Sequence, residues 1–150
     1  MSMFTSIVVG TDGSDTASEA VRQAIALASF IGARIELVSA YEPVPKLRLR
    51  EESVHASQAD ANWMVNVRED VLATLESAAA DVRAAGIEVE VFARQGDPAD
   101  AILDVAEERG SDLIVVGNQG MTGAKRFLLG SVPNKVSHHA PCSVLIIRTV

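Results

Sequence analysis

Several kinds of residue are scarce in this 150-residue chain, and each scarcity excludes a class of protein. A single cysteine permits no internal disulfide, and no zinc site or iron–sulfur cluster built from cysteines. No apolar run reaches the roughly 18 residues of a membrane span. The first residues also lack the basic start of a secretory signal. We therefore expect a cytoplasmic protein with no membrane association.

Basic residues are also in deficit. Lys and Arg number 13 against 20 Asp and Glu, which gives a formal charge of −7. Because nonspecific nucleic-acid binding needs a basic field, we expect no nucleic-acid partner. This balance does not exclude a small anion held by backbone amides. Aromatic residues make up only 4% of the chain, so aliphatic and alanine side chains must fill the core.

Hydrophobic periodicity alternates between short buried-strand runs and amphipathic stretches typical of helices. At this length we expect one domain spanning residues 1–150. Residues 42–58 fit neither pattern, and such a long irregular insertion is either a lid or contact surface or a solvated linker. The predicted strands are 7–9, 35–40, 87–91, 113–116 and 144–147; the predicted helices are 17–31, 59–85, 98–109 and 131–139.

This alternation predicts the α/β fold class, because strands joined through helices are normally parallel, with right-handed crossovers. The continuously apolar strands 7–9 and 113–116 belong in the centre of the sheet, and the alternating strand 87–91 belongs at an edge. The expected architecture is a single open five-stranded parallel sheet of order 3-2-1-4-5, Rossmann-like, with helices on both faces. Its switch point lies between strands 1 and 4.

This order leaves strand 5 at the second edge, although its sequence is as apolar as that of a central strand. A bare apolar edge invites pairing with another chain. We therefore predict a homodimer through strand 5 (143–148). The alternative is that a neighbouring helix or the C-terminal tail covers this edge.

Two glycine-rich loops meet at the predicted switch point, where ligands of such sheets bind. The first loop is 10–14, and the second, 117–130, carries four glycines in fourteen residues. Glycines let a backbone approach a ligand closely. Gly130-Ser131 then opens the last helix, where free amides and the helix dipole favour an anion. The cluster predicts a phosphate site, although glycines that merely permit tight turns remain an alternative.

Asp12 lies beside this loop and would repel phosphates at close range. It is better suited to accept from ribose or base groups, or to hold Mg²⁺ against phosphates. Ser14 and its neighbours can cap the first helix, which leaves Asp12 available. The P-loop pattern is absent, and so is the dinucleotide pattern after strand 1, so NAD is not expected.

The spacing Gly117-x2-Gly120-x9-Gly130-Ser131 resembles the signature of the universal stress protein family, in its ATP-binding branch. The segments 7–14 (IVVGTDGS), 112–117 (DLIVVG) and 141–146 (PCSVLI) are also similar to that family. The resemblance covers nearly the whole chain except 42–58. It implies a five-stranded α/β fold, homodimerisation and adenine-nucleotide binding.

The resemblance also implies roles by position. ATP would be the cofactor, with or without Mg²⁺, and AMP or cyclic AMP are alternatives. Pro133 departs from the pattern, because a residue with an amide is more usual there. The implied contacts are Thr11 and Asp12 with ribose or adenine, the Ala40 backbone with adenine, Gly96 near the base, Gly117 and Gly120 with ribose and phosphates, and Gly130, Ser131 and Val132 with phosphates.

Candidates for catalysis are weak. Cys142 starts an apolar strand, where it is expected to be a small buried hydrophobic residue. His138 and His139 are adjacent on a helix and face different ways, so we expect no metal site. We expect a nucleotide-binding regulatory or stress-response protein, with slow ATP hydrolysis or autophosphorylation left open. The alternatives are a nucleotide-free dimeric scaffold and a phospho-accepting signalling domain. A phospho-accepting domain needs several clustered acids and a lysine after strand 5. This chain has only Asp12 in place of the acid cluster, and Arg148 does not substitute for the lysine.

Overall fold

The computed structural model of the chain describes residues 3–41, 68–118 and 129–149, and it contains each predicted element. The insertion 42–58 and the first part of the helix predicted over 59–85 lie outside the described residues. The elements are β1 (Ser6–Gly10), α1 (Asp15–Ile31), β2 (Arg34–Tyr41), α2 (68–84 as described), β3 (Val89–Gln95), α3 (Pro98–Arg109), β4 (Leu113–Gly117), α4 (Ser131–His139) and β5 (Ser143–Ile147).

One strand is displaced along the sequence. The alternating pattern predicts a strand over 87–91, whereas β3 runs from Val89 to Gln95. Ile87 is buried directly after the turn at Gly86, whose positive φ of 76° suits glycine. Beyond Val91 the strand continues through Phe92 and Ala93, where the strict alternation has ended, so it begins and ends later than predicted.

The sheet is parallel throughout and has the order β3-β2-β1-β4-β5, which confirms the predicted topology. Val9 of β1 lies between Leu37 of β2 and Val115 of β4 in register. All three residues are fully buried. The continuous apolar runs of β1 and β4 therefore occupy the centre, because both of their faces are covered.

Two separate apolar clusters cover the two faces of the sheet. One packs α1 and α2 against alternate residues of the central strands, including Ile7 and Leu37. The other packs α3 and α4 against the residues between them, including Val8 and Val116. Among the described helices, none combines the length and apolar character needed to cross a bilayer.

A polar network lies at the amino ends of the strands, opposite the switch point. Glu36 of β2 is 1% exposed and accepts hydrogen bonds from Ser6 Oγ at 2.8 Å and Arg34 Nε at 2.8 Å. Buried charges persist only when they are paired in this way. The hydrogen bond and charge of Glu36 raise the pKa of Arg34 above its usual value. This end of the sheet is therefore held by a buried charge pair and its hydrogen bonds.

Asp112 ties the start of β1 to β4. Its carboxylate accepts from the Thr5 amide at 2.9 Å, the Thr5 hydroxyl at 3.0 Å and the Ser6 amide at 3.0 Å. Partial burial opposes ionisation of this carboxyl group. The hydrogen bonds to Thr5 and Ser6 outweigh that effect and lower the pKa of Asp112 below its usual value.

We expect Asp112→Asn to lower the melting temperature at neutral pH and to have little effect in acid. A carboxyl whose pKa is lower in the folded state stabilises the fold above its unfolded pKa of about 4, and this stabilisation disappears as the pH falls through the folded pKa. Calorimetry of both proteins from about pH 7 to about pH 2.5 measures the difference. The exposed Asp104→Asn is the control. An equal deficit at every pH would contradict the assignment.

Candidate functional site

A cavity opens at the carboxyl ends of β1 and β4, where the sequence predicts the switch-point site. The β1–α1 loop forms one side, and the first turns of α3 and α4 form the others. Asp12 is the only ionisable side chain among the described residues that line it. Those residues are Gly10, Thr11, Asp12, Ser14, Thr16, Ala17, Val38, Ser39, Ala40, Pro98, Ile102, Val116, Gly117, Ser131, Val132 and Pro133.

The β1–α1 loop is held by hydrogen bonds within itself and to β2. The Thr11 amide donates to the Val38 carbonyl at 2.9 Å. Asp12 Oδ1 accepts from the Ser14 amide at 2.9 Å. The side chain of Asp12 is exposed. Its second carboxylate oxygen, Oδ2, makes no hydrogen bond to a described residue. One oxygen of Asp12 is therefore engaged by the turn, and the other accepts no hydrogen bond from the described residues.

The N-terminus of α4 presents backbone donors to the cavity that have no acceptor among the described residues. Its N-cap is Gly130, which has no side chain to cap the helix. The Gly130 amide donates to the Asn118 carbonyl at 2.9 Å, and the Asn134 amide donates to the Gly130 carbonyl at 3.0 Å. Between them, the amides of Ser131 and Val132 have no intrahelical acceptor, because they lie in the first turn. Pro133 has no N–H, so this turn offers two amides and the Ser131 hydroxyl.

Two neighbouring helices differ from α4 because side chains cap their first turns. Ser14 Oγ accepts from the Ala17 amide at 3.2 Å in α1, and Asp97 Oδ2 accepts from the Asp100 amide at 3.0 Å in α3. This bond, together with the ammonium group of Lys135, lowers the pKa of Asp97. Among these three helices, α4 is the one whose N-cap makes no side-chain hydrogen bond, so its first turn is the best suited to an anion.

The floor of the cavity is apolar. Val38, Ile102 and Val116 line it and are almost fully buried. Gly10 allows this close packing, because a Cβ atom at that position would lie 2.5 Å from Ile102 Cδ1. The sequence analysis places these residues within predicted strands and a predicted helix and does not include them in the site. Their position at the carboxyl ends of central strands is the signal that could have identified them.

Most of the predicted site residues come together around this cavity. The lining includes Thr11, Asp12, Ala40, Gly117, Ser131 and Val132, and Gly130 precedes them as the N-cap of α4. Gly96 is not among the lining residues; it lies in the β3–α3 turn, with a φ of 118° and its amide bonded to the carbonyl of Tyr41, which follows Ala40. Gly120, like the loop cations Lys125 and Arg126, lies outside the described residues.

Asn118 closes the base of the glycine-rich loop. Its amide donates to the Ile147 carbonyl at 2.8 Å. Its side-chain oxygen accepts from the Thr149 amide at 2.9 Å and the Thr149 hydroxyl at 3.0 Å. Together with the bond from Gly130, these contacts fix both ends of the loop beside the end of β5.

The cavity thus combines an apolar floor, a carboxylate and an uncapped helix terminus, which suits a ligand with a flat apolar group and an anionic group. We compared the chain with known protein families, relatives and solved structures. The family model described as "Universal stress protein family" matches residues 3–148. The chain belongs to the universal stress protein family.

Relatives within the family match over almost their full length. The universal stress protein YxiE of Bacillus subtilis is 34% identical, over 97% of this chain and 100% of the relative. The universal stress protein Rv1636 of Mycobacterium tuberculosis is 36% identical, over 99% of each chain.

Solved universal stress proteins share the fold. One in complex with cAMP is 32% identical, with a TM-score of 0.71 and 98% of each chain covered. The protein from Archaeoglobus fulgidus in complex with dAMP is 27% identical, with a TM-score of 0.63, over 97% of this chain and 99% of that one. Two structural neighbours of this chain therefore hold adenine nucleotides.

Proposed function

We propose that this universal stress protein binds an adenine nucleotide, with ATP as the ligand, and acts as a nucleotide-responsive regulatory module. The observation that carries the proposal is the uncapped N-terminus of α4 at the switch point. Two amides, one hydroxyl and the helix dipole converge there on the cavity. The nucleotide complexes of two structural neighbours support the same class of ligand.

Each part of the cavity has a role in this proposal. The phosphates lie against Ser131 and Val132, and the base lies over the apolar floor near Ala40. Asp12 accepts from the ribose through its free oxygen, or holds Mg²⁺ between itself and the phosphates. The backbone supplies most of the anion binding, which is compatible with a net charge of −7.

Binding is favoured over turnover because the described lining offers one carboxylate and no second ionisable group to work with it. Asp12 is its only ionisable side chain among the described residues. Hydrolysis by a general base needs a group whose proton affinity and position match the attacking water. The proposal therefore treats ATP as a regulatory ligand.

Isothermal titration with ATP, ADP, AMP and cyclic AMP, each with and without Mg²⁺, tests this function. We expect saturable heat with ATP, and loss of that heat in Asp12→Ala combined with Gly117→Val, because the variant removes the ribose acceptor and places a branched side chain in the loop. The oligomeric state of the variant provides the folding control. No heat with any nucleotide at millimolar concentration would refute the proposal and favour a nucleotide-free scaffold.

We also propose that the protein is a homodimer joined through β5. Leu145 and Ile146 are 39% and 38% exposed, although both belong to a strand. The opposite edge is protected differently, since the guanidinium groups of Arg94 and Arg109 lie 5.5 and 5.8 Å from the ring of Phe92 in β3. Charged groups on an edge strand oppose pairing with another chain. The apolar β5 edge is therefore the one suited to self-association.

A further inference from the structure

A three-residue ionic cluster joins α3 to α4 at the rim of the cavity. Lys135 Nζ lies 2.8 Å from Asp100 Oδ1 and 3.3 Å from Asp97 Oδ2. Asp97 is the N-cap of α3, and Lys135 follows Ser131 by one helical turn. The cluster therefore links the first turn of α3 to the same face of α4 that carries Ser131.

The two helix ends that this cluster joins both contribute to the lining of the cavity. Pro98 and Ile102 line it from α3, and Ser131 and Val132 line it from α4. Lys135 itself does not line the cavity. It can influence a ligand there only by holding the two helix ends together or through its charge.

The charge of the cluster also matters for an anionic ligand. With Lys135 present the cluster has a net charge of −1, and without it two carboxylates remain beside Pro98. No Lys or Arg lines the cavity among the described residues. Lys135 is thus the cation that offsets the acidic first turn of α3. Its pKa is raised by the hydrogen bonds to Asp100 and Asp97, so it stays protonated at neutral pH.

We propose that Lys135 is a positioning residue for phosphate binding: it clamps α4 to α3 and offsets one of the two negative charges of Asp97 and Asp100, which would otherwise repel the phosphates more strongly. This inference rests on the proposed nucleotide function. It predicts that Lys135 discriminates between ligands. Loss of the ammonium group weakens binding of ATP more than binding of adenosine, because adenosine carries no phosphate.

The test is titration of Lys135→Met with ATP and with adenosine at about 20 mM salt, where charge interactions extend about 20 Å or more. We expect a three- to ten-fold loss of ATP affinity, less than a two-fold change for adenosine, and recovery in Lys135→Arg. The difference should shrink at about 500 mM salt. Arg83→Met is the matched control, because Arg83 pairs with Glu76 on the exposed side of α2, away from the cavity.

A second substitution separates charge repulsion from a simple loss of stability. We expect Lys135→Met combined with Asp100→Asn to bind ATP two- to three-fold more tightly than Lys135→Met alone, because one unpaired carboxylate has been removed. Asp97 is left intact because it caps α3. An additional loss of affinity in the double variant would overturn the neutralising role.

The outcomes for the proposed function and for this inference are distinguishable. If the unaltered protein binds ATP and Lys135→Met binds it equally well, the inference alone is refuted. An equal loss of ATP and adenosine affinity would also overturn it, since that result indicates general damage to the cavity. If the unaltered protein binds no nucleotide, both proposals fail together.

Discussion

Ser131→Asp is expected to abolish ATP binding while making the protein slightly more stable. Ser131 is the first residue of α4 and its side chain is exposed at the cavity. An aspartate there places a negative charge where the proposal puts the phosphates. At an effective dielectric constant of about 20, two unit charges about 4 Å apart repel by about 4 kcal/mol, so we expect at least a 100-fold loss of affinity.

The same substitution should stabilise α4 in the protein without ligand. An acidic side chain near a helix N-terminus stabilises it by about 0.3–1 kcal/mol, because it interacts with the helix dipole and the free amides. For a protein of this size the melting temperature should rise by roughly 1–4 °C. Partial unfolding would lower both the ATP affinity and the melting temperature. A lower affinity with a higher melting temperature therefore indicates a direct effect on the site.

Calorimetric titration and thermal unfolding measure the two effects. Ser131→Ala is the matched control: it removes the hydroxyl but adds no charge, and we expect about a ten-fold loss of ATP affinity, as for one hydrogen bond to a charged group. Adenosine should bind Ser131→Asp nearly as well as the unaltered protein. Undiminished ATP binding by Ser131→Asp would mean that the phosphates lie elsewhere.

The fold could be predicted from the sequence because burial is written into the strand patterns. Continuous apolar runs indicate strands covered on both faces, and β1 and β4 are central in the sheet. The boundaries of the strands were harder to predict from the sequence. The start of β3 depends on Ile87, whose burial after a tight turn is a tertiary property that local alternation does not encode.

The site could be predicted where glycine, serine and aspartate occur at the ends of central strands. Its apolar floor could not, because a valine that lines a cavity looks the same in sequence as a valine in the core. Val38 and Ile102 differ from other buried aliphatic residues only because a cavity, and not another side chain, lies next to them. The ionic link through Lys135 was inaccessible for a similar reason: its carboxylate partners are 35 and 38 positions away in the chain.

Lysine substitutions at the β5 edge are expected to convert a dimer into a monomer. Leu145 and Ile146 are neighbours in a strand, so they project from opposite faces of the sheet. In a symmetric pairing of β5 with its copy, each substitution places two lysines close together across the two-fold axis. Burying these charges without partners is costly, so either Leu145→Lys or Ile146→Lys should weaken association by at least about 100-fold.

Analytical ultracentrifugation over a range of concentrations measures this effect. Phe30→Lys is the control, since Phe30 is a large apolar residue that is 91% exposed on α1. It receives the same change of chemistry outside the proposed interface, so this variant should remain dimeric. A monomeric unaltered protein, or lysine variants that still dimerise, would contradict the proposed interface.

The same variants also separate dimerisation from ligand binding. Asn118 connects the base of the glycine-rich loop to the end of β5 through Ile147 and Thr149. No residue of β5, however, is among the described residues that line the cavity. A monomeric Leu145→Lys variant should therefore still bind ATP, with at most a few-fold change in affinity. If ATP binding disappears with the dimer, the loop depends on the second copy, and a single chain does not form the complete site.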